Sequence, residues 1–200
     1  MPVCRPGAVL WDADGVLQAA APGWRERLVG IGGEDFLQDL FDAEKPCLRG
    51  ESRFEDAVAR VLARHGIQTS AGDVMASWAE IVVDTAALSL VDEVRGRGVR
   101  CYLATNQQDY RRDVMRARLP YAEHFDGEFY SCDLGVAKPE ARYFTAVLDA
   151  VELPVGQVLF IDDSGRNVNA ARAVGLQAVL HDPIAGASGL AAILRRYDLI

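Results

Sequence analysis

Short apolar runs alternate with longer amphipathic stretches along most of the chain. The runs at 8–10, 99–104, 158–161 and 177–180 are each of strand length, and a weaker one lies at 128–130. Each is followed by a polar or acidic residue, a turn and a helical stretch, and the short lengths and flanking glycines favour strand over buried helix. This alternation predicts βαβ units and a buried parallel sheet flanked by helices, an α/β fold.

The amphipathic stretches are more sharply patterned. Over 140–151, Tyr143, Phe144, Val147, Leu148 and Val151 recur at spacings of three and four and line one helical face. Lys138-Pro139 opens that stretch, and proline suits a first helical turn. Ser164 or Asp163 is expected to cap a helix reaching Val174, with Gly175 at its C-terminal end.

The region 19–87 breaks the alternation. It carries helical patterns over 52–65, where Phe54, Val58, Val61 and Leu62 recur before a stop at Gly66, and over 71–87, but no convincing strand. An all-helical block placed after the first strand of an α/β sheet reads as an inserted helical cap. The expected division is a core of residues 1–18 and 88–200 and a cap of 19–87.

Composition adds limits to this picture. The chain has 200 residues, enough for one domain with a smaller insertion, and is 50% hydrophobic and 25% charged, as ordinary globular proteins are. A net charge of −8 argues against a nucleic-acid partner, which would call for surplus Lys and Arg. It leaves room for a small anionic substrate drawn in by local cations, helix N-termini or a metal. Cys4, Cys47, Cys101 and Cys132 lie far apart, so the expectation is reduced thiols and a cytoplasmic setting. No stretch approaches the roughly 18 apolar residues needed to span a bilayer, and no signal-peptide pattern opens the sequence. A monomer or a homodimer fits equally.

Four clusters of chemistry-bearing residues follow the apolar runs. In Val9-Leu10-Trp11-Asp12-Ala13-Asp14-Gly15-Val16, two carboxylates one residue apart stand at a strand end, where ligands of open α/β sheets bind. One can act as nucleophile and the other as general acid and base, while Gly15 permits a sharp turn. Thr105 and Asn106 end the next run; a hydroxyl there can donate to a phosphoryl oxygen or cap a helix beginning near Gln107. Lys138, one of two lysines beside Lys45, can set a positive charge on a phosphate or hold a nucleophilic carboxylate ionised. Asp162 and Asp163 adjoin at a fourth strand end, and neighbouring carboxylates are best tolerated with a cation between them, which suits Mg2+. A parallel sheet brings all four to one edge, a set sufficient for phosphoryl transfer.

These motifs, in this order, resemble those of the haloacid dehalogenase-like superfamily, and the resemblance covers nearly the whole chain. Asp12-Ala13-Asp14-Gly15-Val16 is similar to its first motif, Thr105 to the second, Lys138-Pro139 to the third and Asp162-Asp163 to the fourth. The helical block resembles the small cap of subfamily I. The resemblance implies a Rossmann-like core and a Mg2+-dependent phosphatase acting on a small phosphorylated metabolite, a sugar phosphate for example. Asp12 would form an aspartyl-phosphate; Asp14 would protonate the leaving oxygen and then activate water. Thr105, Asn106 and Lys138 would bind phosphate. Mg2+ would sit on Asp12, the Asp14 backbone carbonyl and Asp163, with Asp162 ligating through water or assisting. Asp162 stands where the family pattern has glycine, so the division of labour in that pair is open. Asp14 argues against a dehalogenase, whereas a phosphomutase or a non-catalytic ligand-binding relative remains an alternative. Trp24, Arg25, Arg27 and Arg49 are cap candidates for contacting the substrate's organic part, and His65, His124 and His181 read as structural.

Overall fold

A computed structural model describes residues 5–200; Cys4 lies outside them. Five strands form one sheet: β1 (Ala8–Trp11), β4 (Arg100–Thr105), β5 (Gly127–Tyr130), β6 (Val158–Asp162) and β7 (Gln177–Leu180). Their order is β5-β4-β1-β6-β7, and every neighbouring pair is parallel. All five predicted runs are therefore strands, with ends shifted by a residue or so.

Alternation along the strands divides the core. Val9 and Trp11 of β1, Cys101 and Leu103 of β4, and Leu159 and Ile161 of β6 point to one face. There they meet α4 (Thr85–Gly96) through Leu88, Val91 and Val94, and α10 (Gly186–Arg196) through Leu190 and Leu194. Ala8, Leu10, Tyr102, Ala104 and Phe160 point to the other face. They pack on α8 (Ala141–Val151) through Tyr143, Phe144, Val147 and Val151, and on α9 (Gly165–Ala173) through Val168 and Ala171. Near-continuous burial of β1, β4 and β6 is what a sheet covered on both faces requires. Three shorter or peripheral helices complete this part: α5 (Asp109–Arg118), α6 (Tyr121–His124) and α7 (Ser131–Leu134).

The helical block is α1 (Trp24–Cys47), α2 (Phe54–His65) and α3 (Ala71–Ala79). Helix α1 is two helical pieces joined at Gly33, whose φ of 83° and ψ of −177° interrupt the helix. The block has its own core, in which Phe36, Leu37 and Leu40 of α1 meet Phe54, Val58 and Val61 of α2 and Val74 and Trp78 of α3. Gly66 ends α2 with φ 65°, as expected of a glycine stop.

Two expectations for this region are corrected. The pattern over 71–87 is not one helix: α3 stops at Ala79, and Ile81–Val83 forms strand β3. Three consecutive β-branched residues favour extended backbone. Asp84 then accepts a hydrogen bond from Ala87 N–H at 3.0 Å and starts α4 as a new helix. Nor is the region without strands, because β3 pairs antiparallel with β2 (Gln18–Ala20). Both connections between sheet and helical block thus run side by side in one ribbon. Three residues were too short a pattern to read as β2 or β3.

Phe54 is wholly buried at the contact of α2 with Trp78, ring centroids 5.0 Å apart. Phe54→Ala is expected to destabilise the chain by about 3–5 kcal/mol in urea unfolding, from lost transfer energy and the cavity left behind. A loss below about 1 kcal/mol would mean that this contact does not hold the block together.

Candidate active site

Strand β1 ends in a tight turn. Asp12 N–H still bonds Ile161 C=O at 2.9 Å, so the sheet fixes its backbone. The Ala13 carbonyl then accepts from the N–H groups of Val16, Leu17 and Gln18. Gly15 completes the reversal at φ 76°, and a Cβ there would collide with the Asp163 carboxylate. Glycine is needed at this position on both counts.

The buried centre is Lys138. Its Nζ lies 2.8 Å from Asp12 Oδ1, 2.7 Å from Asp162 Oδ2 and 2.9 Å from the Ala104 carbonyl, so all three of its protons are engaged. Asn106 fixes the lysine's backbone from both sides: Asn106 Nδ2 donates to Lys138 C=O at 2.8 Å, and Lys138 N–H donates to Asn106 Oδ1 at 2.9 Å. Burial pushes the Asp12 carboxyl up to about 8; the Lys138 ammonium pulls it back only in part, and Asp162 adds to the rise. Burial works against the charge on Lys138 too, but the carboxylates of Asp12 and Asp162 outweigh it and hold the ammonium above its ordinary value.

Asp162 and Asp163 differ in environment. Asp162 is fully buried. Its Oδ1 accepts from Ser164 N–H at 2.8 Å and Asn167 Nδ2 at 3.0 Å, and its Oδ2 accepts from Lys138. Ser164 occupies the N-cap position of α9, but neither it nor Asp163 makes the expected side-chain capping bond; the Asp162 carboxylate instead accepts from Ser164 N–H and the Asn167 side chain. Asp163 has an exposed side and lies against Gly15; partial withdrawal of its carboxyl from water, together with Asp162, raises it. Asp12, Asp162 and Asp163 each offer an oxygen, all within 4.8 Å of one another.

Asp14 is held by residues that sequence reading did not single out. Arg111 Nη2 and Gln18 Nε2 reach its Oδ1 at 2.7 and 3.1 Å, and Gln107 Nε2 reaches Oδ2 at 2.8 Å. Tyr121 OH donates to Gln18 Oε1 at 2.6 Å. Gln107 also donates to Thr105 Oγ1 at 3.1 Å, leaving the Thr105 hydroxyl proton to be given elsewhere. The helix after β4 starts at Asp109, two residues later than expected, with the Gln108 side chain accepting from Arg111 N–H. That shift turns Gln107 from a helix residue into a ligand of Asp14, and no periodicity signals it.

A cavity of about 230 Å³ opens from Asp14 and Asn106 toward the helical block. Its block-side wall includes Trp24, Phe41, Leu48 and Trp78, with Glu44 among them. Of the cap candidates, Trp24 lines this cavity. Arg25 pairs with Glu34, Arg27 with Glu80 and Arg49 with Glu51. His65 bonds Asp39, His124 bonds Asp92, and His181 is buried. Burial lifts the Glu44 carboxyl to about 7, which Arg111, Trp78 and Gln108 nearby only partly oppose.

Because the folded state holds the Glu44 proton to a higher pH than the unfolded chain does, stability falls as pH rises from about 4.5 to 7 and stays reduced above. Glu44→Gln removes this penalty. The variant is expected to gain about 1–2 kcal/mol relative to wild type at pH 8, the gain vanishing by pH 4.5, as read from denaturant midpoints across pH. A gain independent of pH would contradict the burial argument.

Residues 6–175 match the family described as haloacid dehalogenase-like hydrolase. Over 93% of its length the chain is 26% identical to a phosphoglycolate phosphatase of Rhodospirillum rubrum, covering 86% of that protein. It is 33% identical to a sesquiterpene phosphatase of Aspergillus oryzae over 46% of its length, and spans 47%, about half, of that relative. A HAD family enzyme of Bacteroides thetaiotaomicron, solved with magnesium and inorganic phosphate, has the same fold, with a TM-score of 0.76 at 23% identity, covering 87% of this chain and 93% of the other. A match that takes in the ends of β1, β4 and β6 together with Lys138 places the chain in the haloacid dehalogenase-like hydrolase family.

Proposed function

We propose that the chain is a magnesium-dependent phosphatase of small phosphomonoesters, with Asp12 as the nucleophile. The observation that carries this reading is the Lys138 ammonium, buried against Asp12 Oδ1 and Asp162 Oδ2 at a strand end beside an open cavity. A purely structural ion pair would have no need of Asp14, Thr105 and Asp163 around it. The phosphatases of Rhodospirillum rubrum and Aspergillus oryzae support the same reaction class.

The acidic cluster fits Mg2+. Its donors are hard carboxylate oxygens, and one buried ammonium does not neutralise them. Asp12, Asp163 and the backbone carbonyl of Asp14 would hold the ion. Asp162, whose oxygens are taken by Lys138, Asn167 and Ser164, orients the lysine instead. The bound ion supplies positive charge against the phosphoryl oxygens.

The chain's own residues perform the remaining work. Lys138 and Ala13 N–H both engage Asp12 Oδ1. Asp12 Oδ2 is then the oxygen that attacks phosphorus in line with the ester bond. As that bond breaks, Asp14 gives its proton to the departing alcohol oxygen; it next takes a proton from the water that attacks the aspartyl-phosphate. Phosphate leaves and the Asp12 carboxylate is restored. Thr105 donates its hydroxyl proton to a phosphoryl oxygen, and Arg111, Gln107 and Gln18 aim the Asp14 carboxylate at the leaving group. The helical block covers the site and shapes the cavity for the alcohol.

p-Nitrophenyl phosphate hydrolysis should require Mg2+, stop with a chelator and resume on adding the ion back. Asp12→Asn should lower kcat by about a thousandfold or more while the protein stays folded. Undiminished turnover in that variant, or none in folded wild type with Mg2+, would overturn the reading. The two neighbouring aspartates should separate as well. Asp163→Asn should raise the Mg2+ concentration for half-maximal rate by about tenfold or more. Asp162→Ala strands a buried lysine and should cost about 3–5 kcal/mol of stability. Equal effects on both quantities would contradict the division of labour.

A further inference from the structure

The cavity beside Asp14 has a composition that narrows what the alcohol can be. Trp24, Phe41 and Trp78 form a run of edge-to-face aromatic contacts, with centroids 5.9 Å apart for Trp24–Phe41 and 6.5 Å for Phe41–Trp78. Trp24 and Phe41 come from α1 and Trp78 from α3, so two helices hold the aromatic wall. Glu44, one turn beyond Phe41 on α1, places a carboxyl group within it.

The charges around the cavity are unbalanced. Its acidic members are Asp14, Glu44 and Glu80. Its one cation among the lining residues is Arg111, and that guanidinium is already committed to Asp14 Oδ1 at 2.7 Å. Glu80 is paired with Arg27 on the outer rim. Glu44 makes no ion pair within 4 Å among the described residues. Where Glu44 is ionised, an alcohol bearing a carboxylate would bring a further negative charge against it with no free cation to receive it. Aromatic ring faces beside an acid are, in contrast, surroundings that stabilise an ammonium group, through the ring quadrupole and direct charge attraction.

Building on the phosphatase reading, we propose that this cavity selects phosphomonoesters whose alcohol carries an ammonium group, with Glu44 and the Trp24–Phe41–Trp78 wall as the recognising elements. The phosphoryl end lies at Asp12 and the cationic end at Glu44. Glycolate-type and other carboxylate-bearing alcohols are disfavoured. The chain therefore differs in substrate class from the phosphoglycolate phosphatase to which it is similar.

The test pairs phosphocholine with its neutral isostere 3,3-dimethylbutyl phosphate, with phosphoglycolate as the anionic probe and p-nitrophenyl phosphate as the generic one. Wild type should show kcat/KM for phosphocholine at least about fivefold above the isostere, and phosphoglycolate lowest of the three. In Glu44→Gln the ratio between phosphocholine and its isostere should fall toward unity. A reading independent of turnover is the quenching or shift of tryptophan fluorescence on titrating choline, set against 3,3-dimethylbutanol, which should be clear in wild type and weakened in Glu44→Gln.

The ammonium pocket and the phosphatase activity can each be absent without the other. Hydrolysis of p-nitrophenyl phosphate without preference for the charged probe, or with preference for phosphoglycolate, overturns the ammonium pocket and leaves the phosphatase. Saturable choline binding sensitive to Glu44, with every phosphate ester inert, keeps the pocket and overturns the phosphatase. Inert esters with no selective choline binding overturn both.

Discussion

One buried ammonium ties the acidic edge of the sheet together. Lys138 Nζ reaches Asp12 after β1, Ala104 within β4 and Asp162 at the end of β6, which are three strands adjacent in the order β4-β1-β6. Backbone ladders alone would align these strands, but their carboxylates would repel one another once withdrawn from water. A single cation inserted between them makes that arrangement tolerable, and breaking such a group leaves a charge stranded at large cost. The clamp from Asn106 explains how a lysine on a loop reaches the centre of a sheet edge: its backbone is gripped before its side chain extends inward.

Geometry also reassigns work within the set of polar residues. Three of the seven residues singled out from sequence, Asn106, Lys138 and Asp162, bond chiefly to one another or to protein backbone. They build the platform on which Asp12 stands. Asp14, in contrast, takes donors from three residues, Gln18, Gln107 and Arg111, and Tyr121 supports the first of them by donating to Gln18 Oε1. The side of the site around Lys138 is thus fixed by the sheet, and the side around Asp14 is assembled from loops and helix starts.

That difference explains what could be read in the sequence. Strand ends were legible because burial on both faces of a parallel sheet forces continuous apolar runs, and Asp12, Thr105 and Asp162 terminate such runs. The four motifs were legible because, though each alone is ordinary at a strand end, a parallel sheet brings all of them to one edge. Gln18 and Gln107 were not, since a neutral amide near a carboxylate has no pattern apart from the fold that brings it there. Arg111 lies on a helix whose first turn was displaced by the Gln108 cap. The β2–β3 ribbon was missed for a different reason: three-residue strands carry too few alternations to stand out from helix ends. Glu44 and Trp78 come from α1 and α3, and only tertiary packing of those helices brings them to one cavity.

The ribbon has a mechanical consequence. The two tethers are hydrogen-bonded to each other as an antiparallel pair, which holds them against sliding and twisting past one another. Gln18 is the first residue of that pair, and its side chain grips Asp14. Gln18 therefore belongs at once to the tether of the helical block and to the donors on Asp14, so one residue fixes both the start of the ribbon and the aim of that carboxylate.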